Sequence, residues 1–397
     1  MAFESLQPQP ADPLLQIIGA FRADPRADKI DLGVGVFRDP QGATPVMRAI
    51  KAAERRLVET QPSKSYLGSE GDTGFVAALA ARVIGDAIAR DRVQGLQTPG
   101  GTGALRLGAE LLARAGVPRI WIAAPSWANH APIFAQTGVA PQLVPAFDIA
   151  AQRFDADAFV AALAGASAGD AVLLHGCCHN PTGIDPTAEE WTAIAAAVAQ
   201  RGLIPFIDLA YQGLGDGFDA DAAGARAVLT AVPWALLAYS CDKNFALYRE
   251  RTGALYAVGP DATQSMTLQS NLLALARTNW SMPPDHGAAA VRLVLEDPAL
   301  AADWAAELES MRRRLVAVRT GLAALGRIGA LDLAPLAAGK GLFATLPVSP
   351  TQVGWLRETH AIYMAGSGRI NVAGFTSDAA IRRFGAALAA MTAGGVA

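Results

Sequence analysis

The sequence predicts an α/β fold: a large domain with a mainly parallel sheet sandwiched by helices, plus a smaller α+β domain. Short apolar runs alternate with longer stretches of helical period. That is the pattern of strands buried on both faces and joined by crossover helices. The stretch from Trp304 to Leu325 then breaks the alternation. Trp304, Leu308, Met311, Leu315, Val318, Leu322 and Leu325 recur at steps of four and three, which describes one long amphipathic helix leading out of the sheet. A chain of 397 residues, 52% hydrophobic, can fill two or three domains. The division read from the pattern is an N-terminal arm at 1–11, a large domain at 45–310, and a small domain built from 12–44 and 311–397.

In chain order, Pro8, Pro10 and Pro13 predict an extended arm. Strands are expected at Arg119–Ala124, Ala171–Gly176, Leu203–Asp208, Trp234–Ser240, Gly253–Val258, Gly341–Leu346 and Arg369–Ala373. Helices are expected at Ala104–Ala113, Asp155–Ala164 and Thr187–Gln200. The sequence has no internal repeat and no low-complexity tract.

Composition excludes several classes of function. The net charge is −3, with no basic stripe to suit nucleic acid or an anionic membrane. Arg312-Arg313-Arg314 is the densest basic run, and Glu307 and Glu309 nearby make it a solvated helix face. The start, Met1-Ala2-Phe3-Glu4-Ser5, lacks the basic and apolar regions of a signal peptide. No window offers the roughly 20 apolar residues of a membrane span. Three cysteines, Cys177, Cys178 and Cys241, do not describe a disulfide framework and suit a reducing cytoplasm.

In open α/β sheets ligands gather at the carboxyl ends of strands, so polar residues there are the candidates. Pro99-Gly100-Gly101-Thr102-Gly103 opens a helix, where bare backbone N–H groups suit an anion. By itself this is equally a tight turn. His175-Gly176-Cys177-Cys178-His179 invites a metal reading. It is set aside because adjacent cysteines at a strand end should point to opposite sides. Asn180-Pro181-Thr182-Gly183 then forms the turn. Leu203–Asp208 ends in a carboxylate, with Tyr211 three residues on; a buried acid needs a partner. Ser240-Cys241-Asp242-Lys243 places an amine after an apolar strand, with Arg251 eight residues later. Such an amine is able to form a Schiff base with a carbonyl compound.

These motifs together resemble the fold-type I, class I aminotransferases, in the aspartate/aromatic amino acid subgroup. The resemblance rests on His179-Asn180-Pro181-Thr182-Gly183, on Ser240-x-x-Lys243 with Arg251, and on matches from Ala11-Asp12-Pro13 to Gly366-Ser367-Gly368-Arg369. It implies the fold of the pyridoxal 5'-phosphate (PLP)-dependent transferases, with Lys243 carrying the cofactor. It implies that Asp208 pairs with the ring nitrogen, that Asn180 and Tyr211 bond the ring's phenolate oxygen, and that Trp127, in a motif with Asn129 and His130, stacks on the ring. His179 would support the ring from behind. Gly101, Thr102, Ser240 and Arg251 would hold the phosphate, with Tyr66 reaching it from a partner subunit. Arg369 would clamp the substrate's α-carboxylate, and Arg277 of the partner its side-chain carboxylate. Gly35 and Phe343 would line the pocket.

The implied protein is a homodimer with composite sites. It would act on amino acids and 2-oxo acids, without metal, nucleic acid or membrane. Two positions depart from the family. Asp242 stands where Ser is common, and alternation along a strand would aim it, like Ser240, at the phosphate. Met282 follows Ser281 where Asn is frequent, which softens the wall near Arg277. Val36, Arg38, Thr44 and Thr102 resemble the aspartate branch, whereas Met282 and Ser65 leave room for larger side chains. Transfer from aspartate to 2-oxoglutarate is the favoured expectation and an aromatic amino acid donor the alternative. A lyase on the same cofactor is disfavoured by the paired arginines. A non-catalytic sensor domain is disfavoured because the resemblance begins near residue 11, leaving no room for a DNA-binding module.

Overall fold

The computed structural model of the chain describes residues 2–9 and 13–396. Pro10, Ala11 and Asp12 of the expected arm lie outside the described residues. The described part of the arm departs from a plain extended strand, because Ala2–Ser5 make a turn of 3-10 helix before exposed residues 6–9.

Seven strands form the main sheet: Val93–Pro99 (β1), Arg119–Ala124 (β2), Ala140–Pro145 (β3), Ala171–His175 (β4), Ile204–Leu209 (β5), Ala235–Ser240 (β6) and Thr252–Val258 (β7). Their spatial order is β1-β7-β6-β5-β4-β2-β3. The pairs from β6 through β3 are parallel, whereas β7 runs antiparallel to β6 and β1. Every residue of β6 and β7 is buried, as strands with helices on both faces must be. The five strands expected here all form, within a residue at each end.

The two sheet edges, β1 and β3, were not expected. β3 reads Ala-Pro-Gln-Leu-Val-Pro and is largely exposed. Proline is tolerated on an edge because one side of the strand has no ladder to break. In β1, Gln97 looks like a loop residue. It is buried and satisfied, its side-chain oxygen accepting from the Asp72 N–H at 2.8 Å and its nitrogen donating to Pro284 at 2.6 Å.

The helices start where side chains supply caps. Ala188–Gln200 has a reciprocal capping box from Thr187 and Glu190, and Asp155 caps Ala156–Ala162. Gly100–Arg114 packs its Leu105, Leu107, Leu111 and Leu112 into the apolar layer around Phe206 and Leu255. Gly108 allows this contact, since a Cβ there would stand 2.3 Å from the Phe206 ring.

The expected long helix spans Pro298–Ala323 and buries Trp304, Leu308, Met311, Leu315, Val318 and Leu322. Leu325 lies just beyond its end. The basic run on this helix is only partly a solvated face. Arg312 and Arg313 donate to Glu309, but Arg314 turns inward to the carbonyls of Arg38 and Phe375. The last two expected strands form as a short antiparallel pair, Phe343–Thr345 with Arg369–Asn371, apart from the main sheet. Early and late chain also meet where Ile30–Asp31 runs parallel to Ile362–Tyr363.

Arg319, on the long helix, is only 1% exposed. Its guanidinium donates to the carbonyls of Lys340 (2.7 Å), Gly341 (3.2 Å) and Phe343. It thereby fastens the turn that carries Phe343. Arg319→Met is expected to leave these carbonyls without their donor and to lower unfolding stability by about 3 kcal/mol. Urea denaturation followed by circular dichroism measures this, and a loss below about 1 kcal/mol would remove Arg319 from that role.

Candidate active site

Three parallel strands and one antiparallel strand deliver polar groups to one edge of the sheet. β5 ends with Asp208 in register with His175 at the end of β4 and with Ala238 of β6. β6 ends at Ser240, opposite Gly253, and Thr252 lies opposite Pro99, where the helix Gly100–Arg114 begins. A cavity of about 280 Å³ sits on this edge. Gly35, Gly101, Thr102, Trp127, Asn180, Asp208, Tyr211, Ser240, Lys243, Phe343 and Arg369 all line it. Eleven residues singled out in the sequence are thus brought together.

Asp208 is the most elaborately held of them. Its Oδ2 pairs with His130 Nε2 at 3.0 Å. His130 Nδ1 meets Ser126 Oγ at 2.8 Å, and the same hydroxyl meets His175 Nε2 at 3.0 Å. Burial pushes His175 down to about 3, so it stays neutral. Burial alone would raise the Asp208 carboxyl. The His130 hydrogen bond, with a smaller contribution from the nearby Lys243 amine, outweighs it and leaves the carboxyl below its usual range. A carboxylate in a cavity, ionised and aimed at a ligand, suits a protonated ring nitrogen.

The Lys243 amine enters the cavity 5.2 Å from the centre of the Tyr211 ring. Burial lowers its pKa, against the opposing pull of Asp242 and Asp208. Tyr211 is itself buried and its phenol raised, first by burial and then by Asp208. Asn180 donates to the Tyr211 hydroxyl at 3.5 Å. Arg369 stands on the far wall. It donates to Asn180 Oδ1 at 3.3 Å and to the Gly33 carbonyl at 3.1 Å, and it lies 4.5 Å over the Phe343 ring. Its Nε is buried without a partner, a donor left for a ligand carboxylate. Trp127 packs edge-on against His130, with centroids 5.1 Å apart. His179 lies behind His175, its ring tilted by 45° with centroids 4.1 Å apart, and bonds Thr182.

The anion cradle is recognisable from what is missing. A Cβ on Gly100, whose φ is +71°, would stand 2.6 Å from Arg251 Nη2, and one on Gly101 would stand 2.9 Å from Ser240 Cβ. Only glycine lets Arg251, Ser240 and the helix N-terminus close on one point. The residues present therefore fit a flat, carbonyl-bearing ring with a phosphate tail.

Four sequence expectations need correction or completion. Asp242 does not continue the strand alternation, because β6 stops at Ser240. The Asp242 N–H bonds Ser240 Oγ at 3.3 Å, and its carboxylate swings to Arg251, with Nη1 to Oδ2 at 2.8 Å. Cys177 and Cys178 do not splay apart. The strand ends at His175 and Cys178 takes a φ of +52°, so both thiols and Asp221 Oδ come within 4.8 Å of one another. Tyr66, 92% exposed, and Arg277 lie outside the cavity of this single chain. They share a neighbourhood: Arg277 donates to Ser281 Oγ, and the Leu67 N–H contacts Met282 Sδ at 3.1 Å. Finally, the parts played by Ser126 and His175 were not expected. The available signal was a hydroxyl and an imidazole, each at the end of a strand neighbouring the others.

Comparison with known proteins agrees with this geometry. The model for "Aminotransferase class I and II" matches residues 27–386. A tyrosine aminotransferase of Rhizobium meliloti (strain 1021) is 53% identical over 379 residues, covering 95% of this chain and 97% of the relative. An aspartate aminotransferase of Escherichia coli (strain K12) is 41% identical over 382 residues, covering 95% and 96%. The solved structure of an aromatic-amino-acid aminotransferase from Burkholderia pseudomallei, covalently bound to pyridoxal phosphate, superposes with a TM-score of 0.94. It is 36% identical and covers 99% of this chain and all (100%) of the other. The chain belongs to the class I and II aminotransferases and is a pyridoxal-phosphate-dependent enzyme of the aspartate and aromatic amino acid group.

Proposed function

We propose that the enzyme moves the amino group of an L-amino acid to 2-oxoglutarate, accepting both dicarboxylic and aromatic donors. The observation that carries this is the single cavity shared by Lys243, Asp208 and Arg369. Arg369 orients a substrate by its α-carboxylate, a planar two-point match that an amino acid and its oxo acid make equally. The cofactor, when bound, supplies a carbonyl that accepts the amino group and a ring that draws off electrons. Asp208 would pair with the ring nitrogen, and Asn180 and Tyr211 would hold the ring oxygen. Lys243, whose pKa burial lowers, would be the base that takes the proton from the substrate's α-carbon. Ser240, Arg251, Gly101 and Thr102 anchor the phosphate, so the ring does not drift while the proton moves.

The breadth of donor rests on two features. Arg277 is exposed and, among the described residues, meets no carboxylate, so it is free to serve a ligand. Met282, beside Leu67, makes the adjoining wall apolar and deformable. Tyr66 and Arg277 complete the site of a second copy, in a homodimer with composite sites. The proposed division is a large domain at 45–310 and a small one at 12–44 with 311–397; the long helix and the Ile30–Asp31/Ile362–Tyr363 pairing support it. The cytoplasm is the proposed location. Its support is three buried free cysteines and no helix long and apolar enough, among the described residues, to cross a membrane.

Three outcomes follow from this reading. Arg277→Leu should lower kcat/KM for aspartate about a hundredfold and leave phenylalanine within about threefold; equal losses on both would refute its role. Mixed with Lys243→Ala, which is inactive alone, Arg277→Leu should regain aspartate activity through hybrid dimers, whereas a composite site is wrong if mixing restores nothing. Asp242→Ser should bind pyridoxal phosphate roughly tenfold more tightly at matched pH, because Arg251 loses a competing carboxylate. The pH dependence of cofactor attachment gives a second readout for Asp242. The neutral amine attacks, and burial depresses the Lys243 pKa, so the attachment rate should rise with pH to a midpoint below an ordinary lysine's 10.5. Since the Asp242 charge raises that pKa, Asp242→Ser should move the midpoint lower still. A midpoint unchanged or raised would contradict the assignment.

A further inference from the structure

Behind the wall formed by Asn180 and Tyr211 lies a second cluster that transamination does not use. Cys177, Cys178 and Asp221 are each buried, and their sulfur and carboxylate atoms lie within 4.8 Å of one another. Two glycines clear the space around them. A Cβ at Gly341 would stand 2.4 Å from Cys178 Cβ, and one at Gly215 would stand 2.6 Å from Asp221 Oδ1 and 3.1 Å from Cys178 Sγ. A cleft of about 360 Å³, lined by Cys177, Asp221, Asp185, Asp216 and Lys340, leads to the group. Asp221 Oδ2 accepts from the N–H groups of Gly213 and Gly215, while Oδ1, among the described residues, accepts from Asp216 alone. A carboxylate oxygen has two lone pairs, so Oδ1 keeps one.

We propose that Cys177, Cys178 and Asp221 bind a soft divalent cation of the zinc and cadmium class, and that its binding inhibits the enzyme. Zinc bonds sulfur at about 2.3 Å and carboxylate oxygen at about 2.0–2.2 Å, and a tetrahedral ion holds two sulfurs about 3.8 Å apart. The ligand atoms lie within 4.8 Å of one another, so they close by up to about 1 Å on binding. Thiolates favour soft cations over magnesium or calcium. On binding, each thiol releases its proton to solvent and each sulfur donates a lone pair. Two thiolates and a carboxylate face the divalent charge, and a water from the cleft fills the fourth position. No electron is transferred.

Inhibition follows from where the ligands are attached. Cys178 lies two residues before Asn180, and its Sγ is 3.9 Å from the Tyr211 carbonyl. Asp221 fastens Gly213 and Gly215, in the loop just after Tyr211. An ion drawing these three ligands together pulls on both loops that hold the cofactor's ring oxygen.

The test is a titration of the holoenzyme with cadmium chloride, read by calorimetry and by ultraviolet thiolate-to-metal absorption. One equivalent should bind with a charge-transfer band, and the transaminase rate should fall and recover on adding a chelator. Cys177→Ser, which changes only the ligand facing the cleft, should weaken binding by roughly tenfold or more and abolish the inhibition. Cys241→Ser should bind cadmium with the parent's affinity, since its thiol is not among the three ligands. If Cys178→Ser or Asp221→Asn does not fold, Cys177→Ser still decides the matter. No charge-transfer band, binding undiminished in Cys177→Ser, or binding without loss of rate would each overturn the proposal.

Discussion

Burial alone would put a proton on Asp208, and the surrounding side chains prevent it. The carboxylate ends a strand in the middle of the sheet, where desolvation favours the neutral acid. His130 answers with a 3.0 Å hydrogen bond, and Ser126 and His175 continue the chain of contacts at 2.8 and 3.0 Å. Each member belongs to a different strand end or the helix start beside it. The network therefore exists only if β2, β4 and β5 stop at the same level. The ionised acid is thus a property of the whole sheet's register, and the chemistry at the cofactor ring inherits it.

The same register arranges the opposite charges. Glycine at 100 and 101 lets the helix N-terminus, Ser240 and Arg251 approach one point. Asp242 complicates this arrangement, since it takes Arg251 at 2.8 Å and sits 3.8 Å from the Lys243 amine. Arg251 beside the glycine cradle therefore has an internal partner. Asp242 Oδ1 is buried without a hydrogen bond, so the arrangement is not one of lowest energy for the carboxylate by itself.

Much of this was legible before any coordinates. The buried strands were readable because apolar runs of five to seven residues have few other uses, and the long helix because its spacing persists for six turns. The edges were not, since β1 and β3 are half solvated and carry glutamine and proline. Site residues at strand ends were found through motifs that fix both identity and spacing. Errors came where a side chain leaves the direction its element implies: Asp242 after β6 has ended, Cys178 in a left-handed conformation, Arg314 turning from the solvent face. Tyr66 and Arg277 mark another boundary. Their neighbourhood on one exposed surface is a fact of this chain, and neither lines its cavity.

One reversed strand has a wider consequence. β7 begins where its neighbours end, so Arg251 reaches the cofactor edge by opening a strand. The connection from 241 to 251 therefore starts and ends on the edge that holds the cavity, with Ser240 and Lys243 among its lining. The turns at Gly138, Gly169 and Gly202, before β3, β4 and β5, lie at the opposite edge and line no part of the cavity. An engineer seeking new termini, a reporter peptide or a tether would have the molecule's far side to work with.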